Sequence, residues 1–272
     1  FKQKTAYEIR LSLVGSEMCI RDRRYRELRQ GDEPLGLLGE ANEAARYQGG
    51  PRVERFGDVF SAYEWLGQGS QRRWLVLRKD DLAELNAQSR LKARRNLFIL
   101  DARSSEVLLA SSKLRSAETN QNPLAAFLLD SEPRLQHPLQ VSLGDKLHVL
   151  GWSVLSLSGE PQASVVTGTL YRFVIYYRVA AAISGNWQTF VHIDGFQRRF
   201  NADHAILEGK YPMSLWREGD LIADTSEFTL EPNFAPGTYR VYFGLYSGSR
   251  RLEVTRGQHE ENRIAAGPLE IR

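Results

Sequence analysis

Four side chains suited to metal or acid–base chemistry crowd into residues 192–204: His192, Asp194, Asp203 and His204. His192 and Asp194 stand at i and i+2 in "NWQTFVHID" (186–194), a strand pattern that places both on one face. Asp203 and His204 follow in "NADH", a loop that can fold back to meet them. Two imidazoles and two carboxylates suit a transition metal, and two carboxylates with backbone carbonyls suit Ca²⁺. The same residue types also cap turns and hydrogen-bond loops. No ligand-spacing signature separates these readings, so no metal and no cofactor is assigned.

A second set could recognise a ligand. Trp187, Tyr211, Trp216, Tyr242 and Tyr246 offer flat apolar faces with a polar edge, which suits stacking on sugar rings. A β-sandwich also needs aromatic residues inside, and Trp187 and Tyr246 are expected there. Trp216 lies in a Pro-containing turn beside Arg217 and Glu218 and is expected to be exposed. The candidate binding residues are therefore His192, Asp194, Asp203, His204 and Trp216. No catalytic residue is assigned, since no Ser-His-Asp set or paired β-lactamase motif occurs at working spacing. "GLLGEANEAARYQGG" (36–50) has glycines after a strand but fits neither G-x-G-x-x-G nor the P-loop, so a tight turn before a helix is expected. Asn120–Gln121–Asn122 reads as a polar loop that could touch a glycan.

Composition narrows the function classes. The chain has 36 Lys and Arg against 33 Asp and Glu, for a net charge of +3. Residues 1–23 hold five of those basic residues and three of the acidic ones, so the rest is balanced to within one charge. Interspersed, balanced charge does not mark a nucleic-acid binder. The single cysteine, Cys19, also lies in that head. The remainder has no disulfide framework, thiolate metal site or cysteine nucleophile. A hydrophobic fraction of 42% excludes a wholly disordered chain. No apolar run approaches the ~20 residues that cross a bilayer as a helix.

Two regions must position these residues. From 24 to 112, short apolar runs alternate with amphipathic segments. "PLGLLG", "RWLVLR", "NLFILD" and "EVLLASS" read as strands. "GDVFSAYEWLGQG" (57–69) reads as a helix capped by Asp58, and "KDDLAELNAQSR" (79–90) as a helix with Leu82 and Leu85 on one face. The alternation predicts a small α/β domain with a mostly parallel sheet. Residues 113–139 carry Pro123, Pro133 and Pro138 and read as a connector with a short turn at 123–129. Residues 140–272 read as all-β. "GTLYRFVIYYRVA" and "PGTYRVYFGLYSG" are long alternating strands, and "RRLEV" (250–254) pairs back after "YSGS". Seven or so strands predict an immunoglobulin-like sandwich.

The all-β half carries "FVHIDG", "GKYPMSLWREGDLIADT" and "APGTYRVYFGLYSGSRRLEV". These match F-x-H, Y-P-x-x-x-W-x-x-G and P-G-x-Y-x-x-x-x-G-x-Y at Phe190 and His192; at Tyr211, Pro212, Trp216 and Gly219; and at Pro236, Gly237, Tyr239, Gly244 and Tyr246. In these motifs the chain resembles the C-terminal extracytoplasmic region of bacterial polytopic membrane glycosyltransferases, of the protein O-mannosyltransferase and aminoarabinose-transferase type. "RRWLVLRKDDLAEL" and "NLFILDARSSEVLLASS" in the first half are similar to the same family. The resemblance implies an enzyme that moves sugar from a polyprenyl-phosphate donor, with its catalytic acids in a membrane domain that no residue here matches. It further implies a place on the periplasmic face of the inner membrane. The implied partners are that membrane domain and a glycan or glycolipid acceptor.

"FKQKTAYEIRLSLVGSEMCIRDR" (1–23) starts without Met and shows no secretory pattern. It resembles translated sequencing-adapter read-through found in metagenomic genes, and it is set aside from the fold reasoning. With the missing Met it suggests a gene truncated on its 5′ side. The alternative reading is a stand-alone carbohydrate-binding or adhesion module. A third is a structural interaction module that docks a partner on a sheet edge.

Overall fold

The computed structural model describes residues 24–39 and 53–272. The head at 1–23 and most of the glycine-rich 36–50 stretch lie outside the described residues. The chain divides into two compact units, one through Ala125 and one over Ala126–Arg272.

The first unit holds β1 (Leu35–Leu38), β2 (Val53–Phe56), α1 (Val59–Gly67), β3 (Trp74–Arg78), α2 (Leu82–Ala93), β4 (Phe98–Asp101) and β5 (Val107–Ser111). Asp58 caps α1 by accepting from the Ser61 amide at 2.8 Å. The five strands run in the order β2-β1-β3-β5-β4. β1 is parallel to β2 and β3, but β5 is antiparallel to both β3 and β4. The sheet is therefore mixed, not mostly parallel as the alternation predicts. The cause is the β4–β5 link, which is too short for the crossover that parallel pairing needs. Leu35, Leu37, Trp74, Val76, Val107 and Leu109 cluster on one face around Tyr25. On the other face, a Cβ at Gly36 would meet Trp65 of α1 at 2.7 Å. Burial on both faces explains why these strands read as continuous apolar runs.

A buried amide network fixes the end of this unit. Asn86 on α2 accepts from the Leu97 amide at 2.8 Å and from Asn122 Nδ2 at 2.9 Å, and donates to Asn96 at 3.1 Å. Asn122 is buried, so it is structural and does not offer itself to a glycan. Arg72 lies 4.0 Å over the Trp74 ring and grips Glu118 with its two terminal guanidinium nitrogens, Nη1 and Nη2, at 2.9 and 2.8 Å.

The second unit contains β6 (Leu128–Leu129), β7 (His137–Leu143), β8 (Leu147–Leu155), β9 (Ser164–Val165), β10 (Leu170–Val179), β11 (Gln188–Gly195) and β12 (Arg198–Asn201). It continues with β13 (His204–Ala205), β14 (Leu221–Thr229), β15 (Gly237–Ser247), β16 (Arg250–Arg251), β17 (Val254–Arg256), β18 (His259–Glu260) and β19 (Arg263–Ile271). β6 and the start of β7 fall in the stretch read as a connector. One sheet runs β17-β7-β8-β10-β14-β6 and the other β12-β11-β15-β19-β18, with β13, β16 and β9 added at its strands. Nearly all pairings are antiparallel, the exception being β19 with β9.

The sheets pack face to face as a β-sandwich. Phe173 of the first meets Phe243 of the second at 6.1 Å, Phe228 meets Phe200 at 6.0 Å, and Trp152 Nε1 donates across to the Ala266 carbonyl at 2.9 Å. Strand alternation then sends Phe190, His192, Asp194 and Tyr242 to the outer face of the second sheet, while Val191, Ile193, Val241 and Phe243 fill the core. The expected hairpin after "YSGS" forms, with Ser247 opposite Arg250. It is short: Val254 leaves for the other sheet and pairs with Leu143. β18 then returns, and its turn into β19 brings Glu261 and Asn262 over the outer face.

Candidate functional site

The outer face of β11 and β15 forms the floor of an open cleft of about 480 Å³, lined by Phe190, His192, Asp203, Tyr246, Gly248, Ser249, Arg251, Glu261 and Asn262. Phe190 lies directly across from Gly244. A Cβ at Gly244 would stand 2.8 Å from two atoms of the Phe190 ring. The absence of a side chain there makes room for the ring, which is itself buried. His192 follows at 5.0 Å and Tyr246 at 6.3 Å, between ring centres.

Arg251 forms one wall. Its guanidinium sits 5.4 Å over Phe190 and donates to the Glu261 carbonyl at 3.0 Å. Glu261 and Asn262 both adopt left-handed backbone (φ 50° and 59°), as a two-residue hairpin turn of mirror-image type requires. Asn tolerates this conformation; Glu does so at a cost of about 1–2 kcal/mol. Asn262 secures the turn by accepting from the Val254 amide at 3.0 Å. Asp203 and Glu261 supply two carboxylates against the single cation of Arg251.

His192 is neutral in character. Burial pushes its pKa down, and the nearby Arg199 adds to the effect. Its Nδ1 is buried without a hydrogen-bond partner. Asp194 stands beside it but serves its own ion pairs: Arg199 grips it at 2.7 Å with two nitrogens, and Arg263 approaches to 3.3 Å. Burial raises the Asp194 pKa, yet the Arg199 bonds outweigh it and hold the carboxyl below its usual range.

The four candidate residues of 192–204 are thus not one cluster. His192 and Asp203 meet in the cleft, Asp194 is engaged by arginines, and His204 turns inward. Among the described residues no three His, Cys, Asp or Glu side chains converge to hold a metal. Trp216 is 1% exposed, which corrects the expectation of an exposed platform. The turn it occupies folds over it: Tyr211, also buried, accepts from Trp216 Nε1 at 3.3 Å through its carbonyl. Tyr246, expected in the core, is half-buried on the cleft and donates to Gln188 at 2.6 Å. Trp187 is buried as expected.

Sequence reasoning did not single out Ser249, Arg251, Glu261 or Asn262, because ordinary polar turn residues carry no local signal. It also missed Asp224. Here a signal existed, since "LIAD" puts a carboxylate in an apolar strand. Asp224 is fully buried and accepts from Thr189 Oγ1 at 2.5 Å and the Leu207 amide at 2.8 Å.

No family model matches the chain, and no curated protein does. Solved structures do match, and three of them each align with about half of this chain. The C-terminal domain of Wzt aligns at 11% identity, with TM-score 0.37, over 51% of this chain and 82% of that one. A Niemann-Pick type C2 protein from the Japanese carpenter ant aligns at 7% and 0.33, over 49% and 98%. The CARDB domain of a Pyrococcus furiosus protein, solved with di-metal ions, aligns at 12% and 0.26, over 52% and 95%. Likenesses this weak decide nothing about function. Among the described residues no helix is long and apolar enough to cross a membrane.

Proposed function

We propose that the second unit is a carbohydrate-binding sandwich of immunoglobulin-like type that seats a short glycan segment in the cleft over Phe190. The observation that carries the reading is the cleft's make-up. Half-buried Tyr246 gives an apolar side above a floor closed by the buried Phe190, and Asp203, Ser249, Arg251, Glu261 and Asn262 surround it with donors and acceptors. Sugar rings present that combination in reverse, with apolar C–H faces and hydroxyl rims. The volume lies in the range of small-ligand sites.

The cleft also brings together residues of two separate sequence patterns: Phe190 and His192 from F-x-H, Gly244 and Tyr246 from G-x-Y. Other pattern residues, such as Tyr211, Trp216 and Tyr239, are buried and shape the fold. In the setting the resemblance implies, the chain is the periplasmic C-terminal region of a membrane glycosyltransferase, with the first unit as a small α/β support. The preceding membrane domain would use the polyprenyl-phosphate sugar donor, and the cleft would hold the glycan or glycolipid acceptor. That setting rests on the motifs alone.

Calorimetric titration of the full chain with mannose-, glucose- and N-acetylglucosamine-based oligosaccharides tests the binding reading. At least one should bind, and Tyr246→Ala should weaken it by about tenfold through loss of ring stacking. Absence of binding across the panel, or binding indifferent to both Tyr246→Ala and Asp203→Asn, refutes it. Long-read sequencing upstream of the Arg24 codon tests the transferase setting. A frame running into apolar segments of ~20 residues supports it, and a start codon with a secretion signal rules it out.

A further inference from the structure

The cleft wall that carries Asp203 is an arch along the edge of β11. Asn201 pairs with His192 at one foot, and His204 pairs with Thr189 at the other. Between them the Ala202 amide donates to the Val191 carbonyl at 2.8 Å. Successive residues point oppositely in this extended segment. Asp203 lines the cleft, and His204 reaches into the sandwich.

Both ring nitrogens of His204 meet acceptors. Nδ1 stands 2.8 Å from the Ala202 carbonyl, and Nε2 stands 3.2 Å from Asp224 Oδ2. A carbonyl cannot donate. Asp224 receives the Thr189 hydroxyl and the Leu207 amide, which favour its carboxylate form, and a carboxylate can only accept from Nε2. Two donating nitrogens make His204 an imidazolium. The groups facing this pair agree. Tyr177 of β10, near Asp224, stays a neutral phenol because burial pushes its pKa far up. Asp203 on the arch is a second anion. From β11 come the Thr189 hydroxyl and the neutral His192. Among the described ion pairs, His204 is the one cation on buried Asp224. Burial alone would lower the His204 pKa, but the Asp224 bond reverses this and leaves it raised.

We infer that the cleft is proton-linked: His204, clamped as imidazolium between the Ala202 carbonyl and Asp224, holds Asp203 at the cleft wall, and loss of its proton releases the arch and weakens ligand binding. This rests on the cleft being a ligand site. On deprotonation one ring nitrogen turns a lone pair toward its acceptor, the Ala202 carbonyl or Oδ2, and the buried carboxylate loses its cation. The nearest relief is for the His204–Ala202 loop to shift, carrying Asp203 with it.

Imidazole and amide ¹⁵N spectra of the full chain, recorded without ligand from about pH 5 to about pH 9, test the link. His204 should show two N–H groups at low pH and titrate above the ordinary midpoint of about 6.5. The amides of Asp203, Phe190 and Asn262 should move with the same midpoint. Asp224→Asn should lower that midpoint and carry the amide changes with it. Should that variant fail to fold, the unmodified chain alone decides. An oligosaccharide that binds should lose about tenfold in affinity across the transition. A His204 titration that leaves the Asp203 amide unmoved overturns the inference, as does a single ring N–H at low pH. Co-titrating amides in a chain that binds no oligosaccharide would uphold the proton link and remove the glycan reading.

Discussion

Trp216→Ala separates the two roles open to this residue. In the sequence its turn reads as an exposed platform, where truncation leaves the fold intact and removes a ligand contact. In the structure its ring is 1% exposed, seated under a turn that starts at the equally buried Tyr211. A buried tryptophan removes roughly 150–250 Å² from water, worth roughly 4–6 kcal/mol at about 25 cal/mol per Å². Core tryptophan truncations cost about 3–5 kcal/mol after partial relaxation. For a unit of this size that lowers the melting temperature by roughly 6–20 °C. Trp216→Phe keeps most of the apolar area and loses the Nε1 hydrogen bond to Tyr211, a cost of about 1–3 kcal/mol. The ordering Ala worse than Phe worse than the parent, read by near-ultraviolet circular dichroism and by urea midpoint, is the expected result. A Trp216→Ala chain that melts with the parent but no longer binds an oligosaccharide would show the burial argument to be wrong.

Two other perturbations probe buried polar groups. Asn86→Ala removes the acceptor for the Leu97 amide and a partner of Asn122 and Asn96, and should cost the first unit about 2–3 kcal/mol. Hydrogen exchange at Leu97 should accelerate, and an unchanged rate would contradict the network's role. Because the His204 pKa is raised in the fold, its contribution to stability is complete below the unfolded value of about 6.5 and is lost as pH rises through the folded value. The urea midpoint should therefore fall between about pH 6 and about pH 9, and His204→Gln should flatten that fall. A parent chain whose midpoint is level across this range would count against the imidazolium.

Much of the architecture is legible in local patterns. Asp58 before "VFSAYEWLG" marks a capped helix, and the alternation in "TYRVYFGLYS" marks a strand with one face inside, because capping and pleating are properties of neighbouring residues. The same locality explains the errors. Strand direction in the first sheet depends on β5 inserting between β3 and β4, and "EVLLASS" carries no sign of that. Trp216 stands among Pro, Arg and Glu, and only the fold of the Tyr211–Asp220 turn puts it inside.

The candidate site divides in the same way. Its floor is written into the chain: Phe190 with His192 and Gly244 with Tyr246 are short-range patterns, and antiparallel pairing of two alternating strands must bring them to one face. Its walls are not. Arg251, Glu261 and Asn262 arrive by a hairpin whose chain crosses to the other sheet and back, and Asp203 arrives on an arch held by Asp224 through His204. These placements depend on contacts between residues far apart in sequence, whose energies appear only when the sheets have packed. The residue types that could bind a ligand were therefore determined by the sequence, and which of them face one another was decided by tertiary structure.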